Sequence, residues 1–264
     1  MNDAAQRTLL TAGDPPPVAI YNDTGRSPFL LVADHAGNVF PHALGRLGIA
    51  AVEAQRHIAL DIGIANLSRV VSDALDAALI QQNYSRLVID CNRPPGAATS
   101  IPEISELTPI PGNVGLSAAE RTAREREIFR PYHDAIVTAL QRREQTGTPT
   151  ALVALHSFTP VFKTVERPWH AALLYHRDPR LARAMLALLR NEAGLIVGDN
   201  EPYFVSDETD YTIPVHGERR NIPHALVEIR QDLILEENGQ RVWADRLARI
   251  LPAAYKQAVT EAQS

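Results

Sequence analysis

His35 and His156 each stand where an apolar run gives way to polar residues. Phe29–Asn38 reads Phe-Leu-Leu-Val-Ala-Asp-His-Ala-Gly-Asn, and Ala151–Phe158 reads Ala-Leu-Val-Ala-Leu-His-Ser-Phe. A lone histidine at such a place is ordinarily a hydrogen-bonded structural residue. Two of them, delivered at the same end of one sheet, would make half of a metal site, because neutral imidazole is the commonest protein metal ligand. A catalytic zinc needs three protein ligands and an open position. Two residues compete for the third place, Asn38 and Asp61. A carboxylate is the better zinc ligand of the two. Asp61 lies in Ile-Ala-Leu-Asp-Ile-Gly-Ile, where an unpaired charge among apolar neighbours would be costly. A metal would relieve that cost, and so would an arginine; a surface or capping carboxylate is the plainer account.

Glu228 sits inside Ala-Leu-Val-Glu-Ile-Arg. A carboxylate within a core strand must be neutralised, paired or catalytic. Pairing would come from Arg230, two residues along the same strand face. Catalysis would make Glu228 a general base that takes a proton from an activated water. Arg86, Asn92 and Arg93 flank the apolar run Leu87–Cys91, with Asp90 as a partner for one of the arginines. Guanidinium groups grip carboxylates two-pronged, and an amide can supplement them. Cys91, the single cysteine, reads as a buried structural thiol rather than a nucleophile. It excludes an intrachain disulfide and a cysteine-based zinc site.

These residues need a scaffold. The spacing predicts strands over 29–34, 78–82, 87–91, 151–158, 170–175 and 225–229. It predicts helices over 54–77, from the Ser117-Ala-Ala-Glu120 capping box to about 145, from Asp178-Pro179 to about Gly194, and over 240–261. On the first helix His57 and Asp61 are four apart and would share a face. Long loops are expected over 92–116, 157–168 and 198–222, and long loops in a compact domain are functional or disordered. Strands alternating with helices argue for an α/β fold with a mostly parallel sheet, and ligands gather beyond the carboxyl ends of such strands. We expect one domain over 1–264, with 1–17 as a loose lead-in ending in Pro15-Pro16-Pro17.

A formal net charge of −5 and the lack of any Lys/Arg block give no support for nucleic-acid binding. No apolar run reaches the length of a membrane span, and the N-terminus does not read as a secretory signal. A cytoplasmic location is the expectation.

Six segments in chain order resemble the N-formylglutamate amidohydrolase family: Asp34-His-Ala-Gly-Asn38, Asp61 in His-Ile-Ala-Leu-Asp-Ile-Gly, Ser85-Arg-Leu-Val-Ile-Asp-Cys-Asn-Arg-Pro94, His156-Ser-Phe-Thr-Pro160, Asn200-Glu-Pro-Tyr203 and Val227-Glu-Ile-Arg-Gln-Asp-Leu233. That family resembles zinc carboxypeptidases and aspartoacylase-like deacylases. The resemblance implies a three-layer α/β/α, phosphorylase/hydrolase-like fold around a mixed, mostly parallel sheet. It implies a Zn²⁺ ion held by His35, His156 and a third ligand. Asn38 stands where the relatives carry a ligand Glu, which favours Asp61, with His57 as a supporting partner. It further implies Glu228 as base, Arg86 and Arg93 dividing charge stabilisation and substrate-carboxylate binding, and Asn92, His216 and Arg230 as further substrate contacts. His133, His170 and His176 are assigned to packing or surface. The implied substrate is a small N-acyl amino acid, N-formyl-L-glutamate first. Another N-acyl amino acid or small amide, a metal-free protein binding acidic ligands through Arg86, Arg93 and Arg230, and a Cys91 hydrolase are the alternatives.

Overall fold

The computed structural model describes residues 8–261. In chain order the elements are β1 (Val18–Tyr21), β2 (Phe29–Ala33), α1 (Ile64–Leu75), β3 (Ala78–Gln82), the small hairpin β4 (Ile104–Ser105) and β5 (Thr108–Pro109), and α2 (Ala118–Arg124), which passes through a π-helical turn at Glu125–Phe129 into α3 (Arg130–Gln145). Then follow β6 (Ala151–Phe158), a second small hairpin of β7 (Val161–Phe162) and β8 (Val165–Glu166), β9 (Ala171–Leu174), α4 (Arg180–Arg190), β10 (Val197–Asp199), β11 (His224–Arg230) and α5 (Glu237–Glu261).

Seven strands form one sheet in the order β1-β3-β2-β6-β11-β9-β10. The central pairings β3–β2, β2–β6 and β6–β11 are parallel, as is β9–β10, while β1–β3 and β11–β9 are antiparallel. Side chains alternate between faces. Phe29, Leu31 and Ala33 of β2 pack with Leu67 of α1, Met185 of α4 and Leu247 of α5. Leu30 and Val32 pack on the other side with Tyr132 and Ile136 of α3. Burial on both faces is why β2 and most of β6 read as continuous apolar runs, whereas β3 ends on the buried Gln81 and Gln82, whose amides donate to Ser68 Oγ and Cys91 Sγ. The fold is a three-layer α/β/α with a mixed, mostly parallel sheet. Among the described residues no helix is long and apolar enough to cross a membrane.

Two expected elements take another form. Leu87–Cys91 is buried, but it is a series of turns rather than a strand. Ser85 Oγ accepts from Leu87 N–H, and Asp90 Oδ1 accepts from Asn92 N–H. Such local side-chain bonds offer the backbone an alternative to the sheet ladder. The helix expected over 54–77 starts only after Gly63, which has φ +85° and lies against the carbonyl of Ile234. An L-side chain is strained at that φ, and a Cβ there would collide. His57 and Asp61 therefore lie in turns ahead of α1 and share no helical face.

The edge strands β1 and β10 were not anticipated; both are short, and β1 is only half-buried. The Ser117–Glu120 capping box is present, and Asp178 accepts from Arg180 N–H at the start of α4. Of the lead-in, residues 1–7 lie outside the described residues. Leu9 is buried, and Glu127 accepts from the N–H groups of Leu9 and Leu10.

Candidate active site

The parallel register puts the chemistry at one end of the sheet. Val32 of β2 pairs with Ala154 of β6, so the next outward position on that face is Asp34 beside His156. Glu228 of β11 is the register partner of His156, and Ala172 of β9 flanks Glu228 with a small side chain. His35 follows directly as β2 leaves the sheet, and its carbonyl accepts from Asp61 N–H at 2.8 Å. That bond ties the Asp61 turn to the β2 end.

His35, Asp61 and His156 are buried, and each offers a ligand atom within 4.8 Å of the other two. The imidazoles meet edge to face with ring centres 4.9 Å apart. Asp61 Oδ2 lies 2.9 Å from His156 Nδ1 and 3.4 Å from His35 Nδ1. The opposite ring nitrogens are held from behind. His35 Nε2 donates to Asp90 Oδ1 at 2.7 Å, and His156 Nε2 donates to Asp34 Oδ2 at 2.9 Å. Carboxylates on the far ring nitrogens of histidines are the usual support of a metal site, fixing tautomer and ring orientation.

Two buried polar atoms at the cluster have no hydrogen-bond partner among the described residues, His35 Nδ1 and Glu228 Oε2. Burial raises the Glu228 carboxyl to about 7, with Asp61 adding to the rise. Burial would also raise Asp61 and Asp34, but the two imidazoles outweigh it: Asp61 is held far below its ordinary value and Asp34 at about 2. Burial opposes charge on His156, yet Asp34 and Asp61 push it well above the usual imidazole range.

Arg86 is the guanidinium bound to this cluster. Its Nε and Nη2 donate to Asp90 Oδ2 at 3.1 and 2.7 Å, and its Nη1 reaches Asp61 Oδ1 at 3.3 Å. Once His35 and His156 are deprotonated, as binding a metal requires, Asp34, Asp61 and Asp90 against Arg86 leave two negative charges with Glu228 neutral. A divalent cation matches both that deficit and the unpartnered His35 nitrogen, so the residues present fit zinc.

The cluster lies at the floor of a cavity of about 550 Å³ lined also by His57, Arg86, Asn92, Arg93, Arg167, Tyr203 and Glu228. Asn92 was expected to touch substrate, but its amide is committed within the protein. Its Nδ2 donates to Asp210, and its Oδ1 accepts from Tyr211 and Thr212 N–H. Asn38, His216 and Arg230 are not among the lining residues. His216 is buried against His133 at 2.9 Å, drawn there by a π-helical turn at Ile213–Gly217. Arg230 is clamped by Asp232 rather than paired with Glu228.

The residues that sequence reasoning undervalued are Asp34 and Asp90, read as a strand end and an arginine partner, and Arg167, which was not singled out. The signal for the first two was adjacency: Asp34 precedes His35, and Asp90 lies in the same segment as Arg86 and Asn92. Cys91 is buried, and desolvation pushes its thiol well above the ordinary value, so it is poorly suited to act as a nucleophile.

Comparison with known proteins decides the family. The profile of the N-formylglutamate amidohydrolase family matches residues 27–235. The chain belongs to the N-formylglutamate amidohydrolase family. Among solved structures, gene product Atu2144 from Agrobacterium tumefaciens is 34% identical over 97% of this chain and 100% of that chain, with a TM-score of 0.91. The N-formylglutamate amidohydrolase from Ralstonia eutropha JMP134 is 20% identical over 93% of this chain and 100% of that chain, with a TM-score of 0.67, a likeness of fold. No curated protein sequence gives a match. Membership makes this an amidohydrolase-family chain whose cavity surrounds the His35–Asp61–His156 cluster.

Proposed function

We propose that the protein is a zinc-dependent hydrolase that cleaves the amide bond of an N-acyl amino acid, with N-formyl-L-glutamate as the substrate, releasing formate and glutamate. The observation that carries this reading is the convergence of His35 Nδ1, His156 Nδ1 and Asp61 Oδ2, with both outer ring nitrogens tied to Asp90 and Asp34. Those three atoms would hold the ion and leave it an open position. Held there, zinc would supply Lewis acidity towards the acyl carbonyl and would lower the pKa of a water.

The chain's own groups supply the rest. Glu228, with an unpartnered Oε2 beside His156, accepts the proton of the attacking water. It then delivers that proton to the amide nitrogen as the carbon–nitrogen bond breaks. Arg86, bonded to Asp61, stands at the acyl end and offsets negative charge on the carbonyl oxygen. Among the described residues Arg93 hydrogen-bonds only to the carbonyls of Asn92 and Thr209, which leaves its charge for the α-carboxylate. Asn92 supports Arg93 by fixing the Asp210 side chain and the 211–212 backbone next to Thr209.

The test is formate release from N-formyl-L-glutamate by zinc-loaded protein, before and after chelation, with metal analysis of the same samples. We expect about one zinc per chain, as for a mononuclear catalytic site, and loss of both metal and activity in His156→Ala. Turnover that survives complete removal of metal would exclude the zinc role.

A further inference from the structure

The cavity holds a second unneutralised guanidinium besides Arg93. Arg167 lies just after the β7–β8 hairpin, its backbone N–H donating to the Pro160 carbonyl at 2.8 Å. It is 7% exposed, and its Nη1 is buried with no hydrogen-bond partner among the described residues. Aromatic rings flank it: its guanidinium carbon is 4.7 Å from the Phe162 ring centre and 4.8 Å from that of Tyr203. Stacked contacts of this kind satisfy the faces of a guanidinium but not its N–H edge, which stays available for a planar, two-pronged acceptor.

The same chain shows what a purely structural buried arginine looks like. Arg124 donates to the carbonyls of Val88 and Gly112 and to Asn113 Oδ1. Arg143 donates to the carbonyls of Ser27 and Phe29. Arg167 has no such set, and among the described residues no carboxylate forms an ion pair with it. A buried guanidinium N–H left without an acceptor is costly, and Arg167 lines the cavity that contains Glu228 and Arg86. Arg230, clamped by Asp232, touches Arg167 at its carbonyl, at 3.5 Å, so it acts on the backbone beside the hairpin and not on the cavity.

We propose that Arg167 selects substrates with an anionic side chain, gripping that side-chain carboxylate with its free edge between Phe162 and Tyr203. This rests on the hydrolase reading for the identity of the substrate and goes beyond it by assigning the selecting residue. Arg93 then serves the α-carboxylate and Arg167 the distal one, so the cavity takes an N-acyl dicarboxylic amino acid and disfavours its neutral counterparts. A neutral side chain would leave the guanidinium buried and unpaired, which is where discrimination of this kind comes from.

The experiment compares N-formyl-L-glutamate with N-formyl-L-glutamine, which differ in charge at nearly equal size, in the zinc-loaded wild type and in Arg167→Met. We expect the ratio of kcat/KM values, glutamate over glutamine, to fall by about 10²-fold in the variant, the size of a lost charge-assisted hydrogen bond. Most of the change should lie in KM for the glutamate substrate. An unchanged ratio overturns the proposal. Should Arg167→Met fail to fold, Arg167→Lys removes the two-pronged edge while keeping charge. A ratio reduced several-fold supports the assignment, and an unchanged one overturns it. Calorimetric titration with glutarate reads the same anchor without turnover. Binding by wild type that is lost in the variant supports it even if neither formyl compound is hydrolysed, the result that would sink the hydrolase reading alone. Equal glutarate binding by both proteins, or none by wild type, overturns it.

Discussion

Glu228 and His156 are register partners on adjacent parallel strands, and the Glu228 carboxylate oxygen Oε2 is buried without a hydrogen-bond partner among the described residues. Position and protonation both suit a proton carrier: desolvation brings its carboxyl to about 7, close to the pH at which it must both take and give a proton. Glu228→Gln keeps the shape and removes the proton-accepting form. We expect kcat to fall by about 10²-fold or more with zinc content unchanged. Turnover within a few-fold of wild type would remove Glu228 from the reaction.

Asp34 and Asp90 contact ring nitrogens that face away from the proposed ion, so their loss should be felt as metal affinity before chemistry. Asp34→Asn and Asp90→Asn are each expected to weaken zinc binding by about 10- to 100-fold, the usual scale for such supporting carboxylates. Competition against a chromophoric chelator measures this. Asp61→Asn should cost more than either, because it removes a donor itself. A larger loss from Asp34→Asn than from Asp61→Asn would mean the ion sits on the other side of His156.

Much of this arrangement was legible from residue order alone. β2 and β6 are buried on both faces, so their apolar runs gave strand limits to within a residue. His35, His156 and Glu228 stood out because polar groups in such runs need a reason. What could not be read was anything that depends on a turn. Asp61 reaches His35 through a bond between main-chain groups 26 positions apart, not through the helical spacing from His57. Leu87–Cys91 has a strand's composition, but Ser85 and Asp90 fold it back on itself. Arg167 gave no signal because its meaning lies in missing partners, and a missing partner appears only once the neighbours are in place. His216 and Arg230 looked available in the sequence for the opposite reason: His133 and Asp232, which occupy them, come from packing.

His133 and His216 form a one-way chain of hydrogen bonds beneath the site. His133 Nε2–H donates to the Cys91 carbonyl at 2.8 Å, which leaves its Nδ1 to accept from His216 Nε2–H at 2.9 Å. Both rings are neutral in this pattern, and a proton added to His133 Nδ1 would set two N–H groups against each other. Desolvation is the main reason that His133 is lowered to about 4 and His216 to about 3 from 6.5. His133, Arg220 and Arg219 lower His216 further, while Asp34 opposes the shift in both. The unfolded chain therefore binds protons first as the pH falls. Stability is unaffected by this pair above about pH 7 and declines as pH drops from about 6.5 towards about 4, by up to about 1.4 kcal/mol per pH unit for each of the two protons. Urea unfolding at several pH values should give a shallower acid slope for His133→Gln/His216→Gln than for wild type. Equal slopes would show that the pair does not titrate across this range.

Gly63 couples the fold to the site. Its φ of +85° starts α1 and turns the chain directly after Asp61, and its missing side chain leaves room for the Ile234 carbonyl. Gly63→Ala asks an L-residue to hold a left-handed conformation, at about 1–2 kcal/mol, and adds a collision with backbone that cannot swing aside. The chain can relieve both only by shifting the 61–64 turn or the 233–234 segment. The first shift moves Asp61 away from His35 and His156, which are anchored separately by Asp90 and Asp34. The variant is therefore expected to lose both thermal stability and zinc affinity, whereas a substitution that merely loosened α1 would lower stability alone. Thermal unfolding and chelator competition on the same preparation separate the two. Wild-type zinc affinity in a clearly destabilised Gly63→Ala protein would show that the Asp61 turn is held by its bond to the His35 carbonyl, without help from the start of the helix.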